Sequence, residues 1–232
     1  GWEWARLAGV EGTLPRALSV ALLALVLLAL WHFAPSASLV LVPAVGWWLG
    51  FAALLPRLHP HPSAPGVDRV LLPLGLLVLA APWFALVRLH GDFEQGPLLV
   101  LGLIGMIALA DSAAYLVGSR FGRRKLLPRL SPGNKWVGLY AALGAAALAL
   151  LIAGLLLGLS TRATLSLMLL GVVTVGFSVL GDLFESWLKR RRGRKDSGAL
   201  LPGHGGVLDR IDSMTAAAPV FALGLIWLGL AA

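Results

Sequence analysis

The residues best suited to chemistry lie between positions 181 and 213, in GDLFESWLKRRRGRKDSGALLPGHGGVLDRIDS. Read as a helix, Asp182, Glu185, Ser186 and Lys189 stand at i, i+3, i+4 and i+7 and share one face. Leu183, Phe184, Trp187 and Leu188 take the other face, so one side meets lipid or protein and the other a wet cleft. Asp209, Asp212 and Ser213 repeat the i, i+3, i+4 spacing where the next apolar run begins. Two carboxylate-bearing helix ends thus flank a basic, glycine-rich loop. Carboxylates supply hard oxygen ligands for Mg²⁺, and the metal with nearby Lys and Arg neutralises phosphate oxygens. Gly203, Gly205 and Gly206 let the backbone approach a phosphate and present N–H groups to it. Simpler accounts cover single pieces: the glycines after Pro202 turn the chain, and KRRRGRK anchors it to anionic lipid. Neither accounts for carboxylates, glycines and bases together, which points to a site for phosphate and metal.

A second polar position is Asp111, inside the apolar run GLIGMIALADSAAYLVG with Ser112 and Tyr115 beside it. An ionisable side chain at such a depth is costly and faces a cavity or an oppositely charged partner. Residues 119–135, SRFGRRKLLPRLSPGNK, form a basic loop with turn-forming stretches. His59 and His61 alternate with prolines but lack a third ligand, and read as plain loop. His32, His90, Asp92 and Glu94 read as interfacial or solvated side chains.

The elements that must position these residues are membrane helices. Of 232 residues 58% are hydrophobic and 13% charged, with a mean hydropathy of +0.85, which excludes a soluble domain. Crossing about 30 Å of hydrocarbon takes about 20 apolar helical residues. Runs of that length are predicted at 17–34, 37–55, 70–87, 97–118, 136–158, 164–181 and 214–232, giving an all-α bundle of about seven spans. Pro43, Gly46, Pro73 and Pro82 interrupt the second and third runs and predict kinks. With the N-terminus inside, 17 of the 19 Lys and Arg residues fall on one side and only Arg88 and Arg162 on the other. The positive-inside rule then puts loops 119–135 and 182–213 in the cytoplasm and the C-terminus outside. The net charge of +8 is mostly topogenic and calls for anionic lipid or a phosphorylated ligand, not nucleic acid. The chain divides into N-terminal membrane helices, 1–110, and a catalytic membrane region, 111–232. No cysteine is present, so disulfides and thiolate metal sites are excluded. Gly154 and Gly158 allow a homodimer through small residues, although packing within one chain is their simpler use.

At these residues the sequence resembles the phosphatidate cytidylyltransferases, or CDP-diacylglycerol synthases. The family signature runs from a Ser through Lys-Arg, four variable residues and Lys-Asp to Pro-x-His-Gly-Gly and Asp-Arg-x-Asp. Here it reads Ser186, Lys189, Arg190, Lys195, Asp196, Pro202, His204, Gly205, Gly206, Asp209, Arg210 and Asp212, without a gap. Upstream, ADSAAYLVGSRFGRRKL is similar to the family's Ala-Asp-Ser-Gly-Ala-Tyr helix and following loop. GWEWARLAG resembles a Trp-Glu-Trp segment that follows two N-terminal membrane helices in family members, so a nine-span protein truncated by two helices is expected. One stretch departs: where the family has Ser-Pro-x-Lys-Thr, then Trp and Glu or Gln, this chain has Ser131, Pro132, Gly133, Asn134, Lys135, Trp136 and Val137.

The resemblance implies transfer of a cytidylyl group from CTP to phosphatidate, giving CDP-diacylglycerol and pyrophosphate, with Mg²⁺ as cofactor. It implies an integral protein of a bacterial inner membrane with its active site facing the cytoplasm. By the same carry-over Asp182, Asp209 and Asp111 are the expected metal ligands, and Asp182, Lys189, Asp209 and Asp212 the catalytic group. Substrate would meet Ser186, Arg190, Lys195, Asp196, Gly203, His204, Gly205, Gly206, Arg210, Ser131 and Lys135. Asp209→Asn should abolish activity and spare folding, whereas replacing Arg191 or Arg192, in the variable part of the signature, should matter much less. The rivals are a CTP-dependent enzyme acting on another lipid acceptor, and a membrane transporter.

Overall fold

In the computed structural model, residues 1–33, 35–58, 66–128, 130–203 and 205–229 are described, Pro132 by its backbone alone. His59, His61 and His204 lie outside them. A short helix α1 (Trp2–Leu7) precedes seven long ones: α2 (Thr13–Phe33), α3 (Ala37–Leu54), α4 (Leu71–Asp92), α5 (Gly96–Phe121), α6 (Trp136–Leu156), α7 (Thr161–Arg191) and α8 (Leu208–Leu228). All seven are long and apolar enough to cross a membrane, so the expected helical bundle is what forms. The expected spans agree in order and number. They differ at their ends because α7 and α8 extend beyond the apolar runs, carrying the polar residues 182–191 and 208–213 into regular helix.

The prolines do not break the bundle. Pro43 and Pro82 lie inside α3 and α4, and Pro73 falls in the first turn of α4, where no intrahelical N–H bond is lost. Asp68 starts α4 by accepting from the backbone N–H groups of Val70 and Leu71, each at 3.0 Å. α7 opens on Ser160, whose hydroxyl accepts from the Ala163 N–H, and runs out at Gly193 in the left-handed region.

α8 is the central helix, packed against α3, α4 and α7. Its Ala216, Ala217, Ala218 and Ala222 are fully buried; in lipid, small residues let helices approach closely enough for dispersion contacts to hold them. Gly181 of α7 carries this furthest, since a Cβ there would collide with the Asp212 carbonyl of α8. Phe84, Leu89, Leu103, Ala142, Phe221 and Leu225 belong to one core that spans both halves of the chain. α2 buries no residue fully and packs at the edge of the bundle, against α1 and α4. Gly154 is packed against Thr164 of the same chain, so its small size serves the α6–α7 turn.

A second cluster sits at the end of the bundle that carries the polar segments. Trp4, Trp47, Trp48, Phe51, Phe184 and Trp187 interlock there, with Phe184 touching the other five at ring-centroid distances between 4.9 and 6.0 Å. The apolar face expected for 183–188 is therefore protein-facing.

Residues 119–135 differ from the expected irregular loop. Lys125–Leu127 and Ser131–Lys135 form a two-stranded antiparallel hairpin, with Lys125 opposite Lys135 and Leu127 opposite Ser131. The Leu130 N–H donates to the Leu127 carbonyl at 3.1 Å, and the Leu130 side chain is buried.

Candidate active site

α5, the hairpin, α6, α7 and α8 enclose a cavity of about 530 Å³. Asp111 reaches it from α5, Asp182 from α7 and Asp212 from α8, with Asn134 and Lys135 arriving from the hairpin. Ala142, Val175 and Val179 form its apolar depth, and Tyr115 and Ser119 line its α5 wall. The helices meet this closely because Gly118 and Gly138 stand opposite one another, where a Cβ on Gly138 would press on the Ala114 carbonyl. The three carboxylates feel one another's charge. Asn134 Nδ2 donates to Asp182 Oδ2 at 2.7 Å. Lys135 also lines the cavity, but its Nζ donates to the Gly118 carbonyl at 2.9 Å, capping the end of α5. Three carboxylates from three helices thus line one cavity.

Beside the cavity is a denser knot around Asp209, in the first turn of α8. Lys189 Nζ donates to Asp209 Oδ1 at 2.7 Å and to Glu185 Oε2 at 3.1 Å. Asp209 Oδ2 accepts from Ser197 N at 2.9 Å, Ser197 Oγ at 2.8 Å and Gly206 N at 2.8 Å. Four donors on one carboxylate hold the loop between α7 and α8 against α8's start. Glu185, almost fully buried, links the two regions, bonding Lys189 on its own helix and facing Asp212 on α8.

The expected metal set of Asp111, Asp182 and Asp209 is not brought together. Asp111 and Asp182 share the cavity with Asp212, whereas Asp209 is engaged by Lys189, Ser197 and Gly206. The physical reason is position along α8: Asp209 and Asp212 share a face, but three residues place them about 4.5 Å apart along the axis, Asp209 in the first turn beside the loop and Asp212 further along beside the cavity. Among the described residues no group of three or more His, Asp or Glu side chains closes into a metal cage.

The glycines also divide. Gly206 gives its N–H to Asp209, and a Cβ there would collide with Ser197 and Glu3, so its smallness serves the loop's own packing. Gly203 and Gly205 adopt positive φ, 75° and 81°, around the turn closed by the Leu201 N–H to Gly205 carbonyl bond; Gly203 faces open space. Arg190, Lys195, Asp196 and Arg210 are exposed around this loop, Ser186 is half-buried on α7, and Ser131 is half-buried on the hairpin.

Several residues that matter here were not singled out from the sequence. Glu3 on α1 is buried and accepts from the N–H groups of Val207, at 2.9 Å, and Leu208, at 2.6 Å. Ser197, fully buried, bridges Glu3 and Asp209. The Trp-Glu-Trp resemblance marks the segment that carries Glu3, but nothing in the sequence points to its partners at 197, 207 and 208. Arg192 makes contacts that its place in the signature does not reveal: its guanidinium donates to the Leu7 carbonyl at 2.8 Å and to that of Gly66 at 3.2 Å. Arg191 pairs with Asp68 at 3.2 Å and lies over the Trp187 ring. These arginines hold the segments entering α2 and α4 to the end of α7, a structural role that a variable stretch of signature does not reveal.

The sequence pattern of the Cytidylyltransferase family matches residues 1–227. A phosphatidate cytidylyltransferase of Pseudomonas aeruginosa is 44% identical over 230 residues, covering 97% of this chain and 83% of that protein. One from Haemophilus influenzae is 37% identical over 251 residues, covering 95% and 84%. One from Brucella suis is 42% identical over 156 residues, covering 64% and 54%. A match over nearly the full chain, on a helical bundle whose polar ends converge as described, leaves one assignment: the chain belongs to the cytidylyltransferase family.

Proposed function

We propose that this protein transfers the cytidylyl group of CTP to phosphatidate, giving CDP-diacylglycerol and pyrophosphate. The observation that carries the reading is that a match to phosphatidate cytidylyltransferases along nearly the whole chain coincides with an acid-lined cavity between membrane helices. The cavity's apolar depth suits a substrate whose tails stay in lipid.

An oxygen of the lipid phosphate attacks the α-phosphorus of CTP. The new bond joins that oxygen to the α-phosphorus, the bond from the α-phosphorus to the α–β bridging oxygen breaks, and pyrophosphate leaves with its electron pair. A phosphomonoester with a second pKa of about 6 is mostly dianionic at neutral pH, so no strong base is needed. The barrier is the meeting of two polyanions, and positioning with charge neutralisation lowers it. Arg190, Lys195 and Arg210, around the loop, are the side chains we assign to the triphosphate, with Gly203 giving it backbone access. Lys189 and Asp209 hold that loop in register.

The donor chemistry at Asp111, Asp182 and Asp212 fits a divalent cation shared with phosphate oxygens, since Mg²⁺ is usually held by one or two carboxylates plus its substrate. Mg²⁺, when bound there, supplies neutralisation of the developing charge. We assign Asp209 to loop organisation instead. The basic loops support a cytoplasmic active site in a bacterial inner membrane.

Purified protein in detergent, given CTP, phosphatidate and Mg²⁺, should release pyrophosphate only when all three are present, and Asp182→Asn should lower the rate at least about 100-fold by removing a cation ligand. No release from folded protein with phosphatidate, but release with another lipid phosphate, would replace the acceptor; no release with any would overturn the reading.

A further inference from the structure

The carboxylate of Glu3 belongs to the short helix α1, and it lies at the centre of the loop that joins α7 to α8. It accepts the N–H groups of Val207 and Leu208, which open α8 and have no carbonyl partner within that helix. Its other contact is the Ser197 hydroxyl, 3.2 Å from Glu3 Oε2 and 2.8 Å from Asp209 Oδ2, so that one proton serves two carboxylates. Gly198 and Gly206 are glycine where the carboxylate passes, because a Cβ on either would collide with it. The loop is therefore wrapped around Glu3. The Trp4 indole, donating to the Leu71 carbonyl at 2.8 Å and packed on Phe184, anchors α1 so that Glu3 has little freedom to follow the loop if it moves.

Resting on the function proposed above, we infer that Glu3 is a positioning residue of the transferase site: through the start of α8 and Ser197 it fixes Asp209, and with it Lys189 and the loop's cationic rim. It touches no substrate. Its carboxylate favours α8's positive end, and no apolar or smaller side chain reproduces acceptors for three donors.

The test compares Glu3→Gln, Ser197→Ala and the double variant with the unaltered chain in detergent. Glu3→Gln keeps the side chain's shape but presents an amide donor toward N–H donors. kcat should fall about 10- to 100-fold, the range expected when a remote residue misplaces a site, while KM for phosphatidate changes less than about twofold. The two single effects should not add, because both act through the same hydroxyl. Backbone amides of residues 205–208 should exchange with deuterium faster in Glu3→Gln, with the middle of α8 unchanged. A kcat within about twofold of the unaltered protein, strictly additive effects, or unchanged exchange at 205–208 would each overturn the inference. If Glu3→Gln does not fold, Ser197→Ala decides, since it leaves Glu3's bonds to α8 intact and must still lower kcat. An unaltered protein that transfers no cytidylyl group defeats the functional reading alone, and the exchange at 205–208 then decides for or against Glu3's hold on the loop.

Discussion

At the scale of single residues, the site separates two tasks that the spacing of acids in the sequence runs together. Asp209 is saturated by Lys189, Ser197 and Gly206, whereas Asp182 has the Asn134 amide and an open cavity before it. Asp209→Asn should therefore cost stability as well as activity, contrary to the expectation from sequence. Removing one member of a largely buried ion pair costs about 3 kcal/mol, visible as a lowered thermal midpoint in detergent. Asn134→Asp should act differently. It turns a 2.7 Å hydrogen bond onto Asp182 into a like-charge contact that a bound cation relieves, and should lower the Mg²⁺ concentration needed for half-maximal rate with little change in melting. An unchanged Mg²⁺ requirement would mean that Asp182 meets no cation.

At the scale of elements, the ends of helices do more than the spans. α7 carries Asp182 to the cavity, Lys189 to the knot and Arg191 and Arg192 to the segments that lead into α4 and out of α1. Arg192→Ala deletes bonds to the Leu7 and Gly66 carbonyls and should lower stability by about 2 kcal/mol, read from thermal unfolding, more than Arg190→Ala on the exposed side. Asp68 extends this latch to α4. Burial alone would raise its carboxyl pKa, but the Leu71 and Val70 N–H groups and Arg191 outweigh burial and hold it below the ordinary carboxylate value. A lowered value means that its contribution is present above the unfolded pKa and is lost as pH falls through the folded one. The latch should thus loosen only in acid below about pH 4, and Asp68→Ala should remove that part of the pH dependence of unfolding. The hairpin was legible only as turn signals. Its pairing needs Lys125 and Lys135 brought opposite one another, a contact between residues ten apart that no local propensity specifies.

At the scale of the molecule, the polar termini of five elements gather at one end of the bundle, leaving α2 and the outer faces to lipid. The absence of native cysteine makes the topology directly testable. With a membrane-impermeant maleimide on intact cells, Glu94→Cys should label and Lys195→Cys should not; the reverse pattern would invert the protein in the membrane. Seven spans, the approximate bounds of each, the basic side and the polar stretches at 111, 131–135 and 182–212 could all be read from the chain, because insertion in lipid demands long apolar helices and charge is confined to their ends. What only the tertiary structure decided is which polar groups meet. Position along α8 and the packing of its neighbours sent Asp212 to the cavity and Asp209 to Lys189, and the packing of α1 brought Glu3 within hydrogen-bond distance of residues two hundred positions away. Hydropathy and spacing report how a residue sits on its own helix, whereas the partner across the gap depends on how helices from distant parts of the chain cross, set by small residues such as Gly181, Gly138 and Gly206.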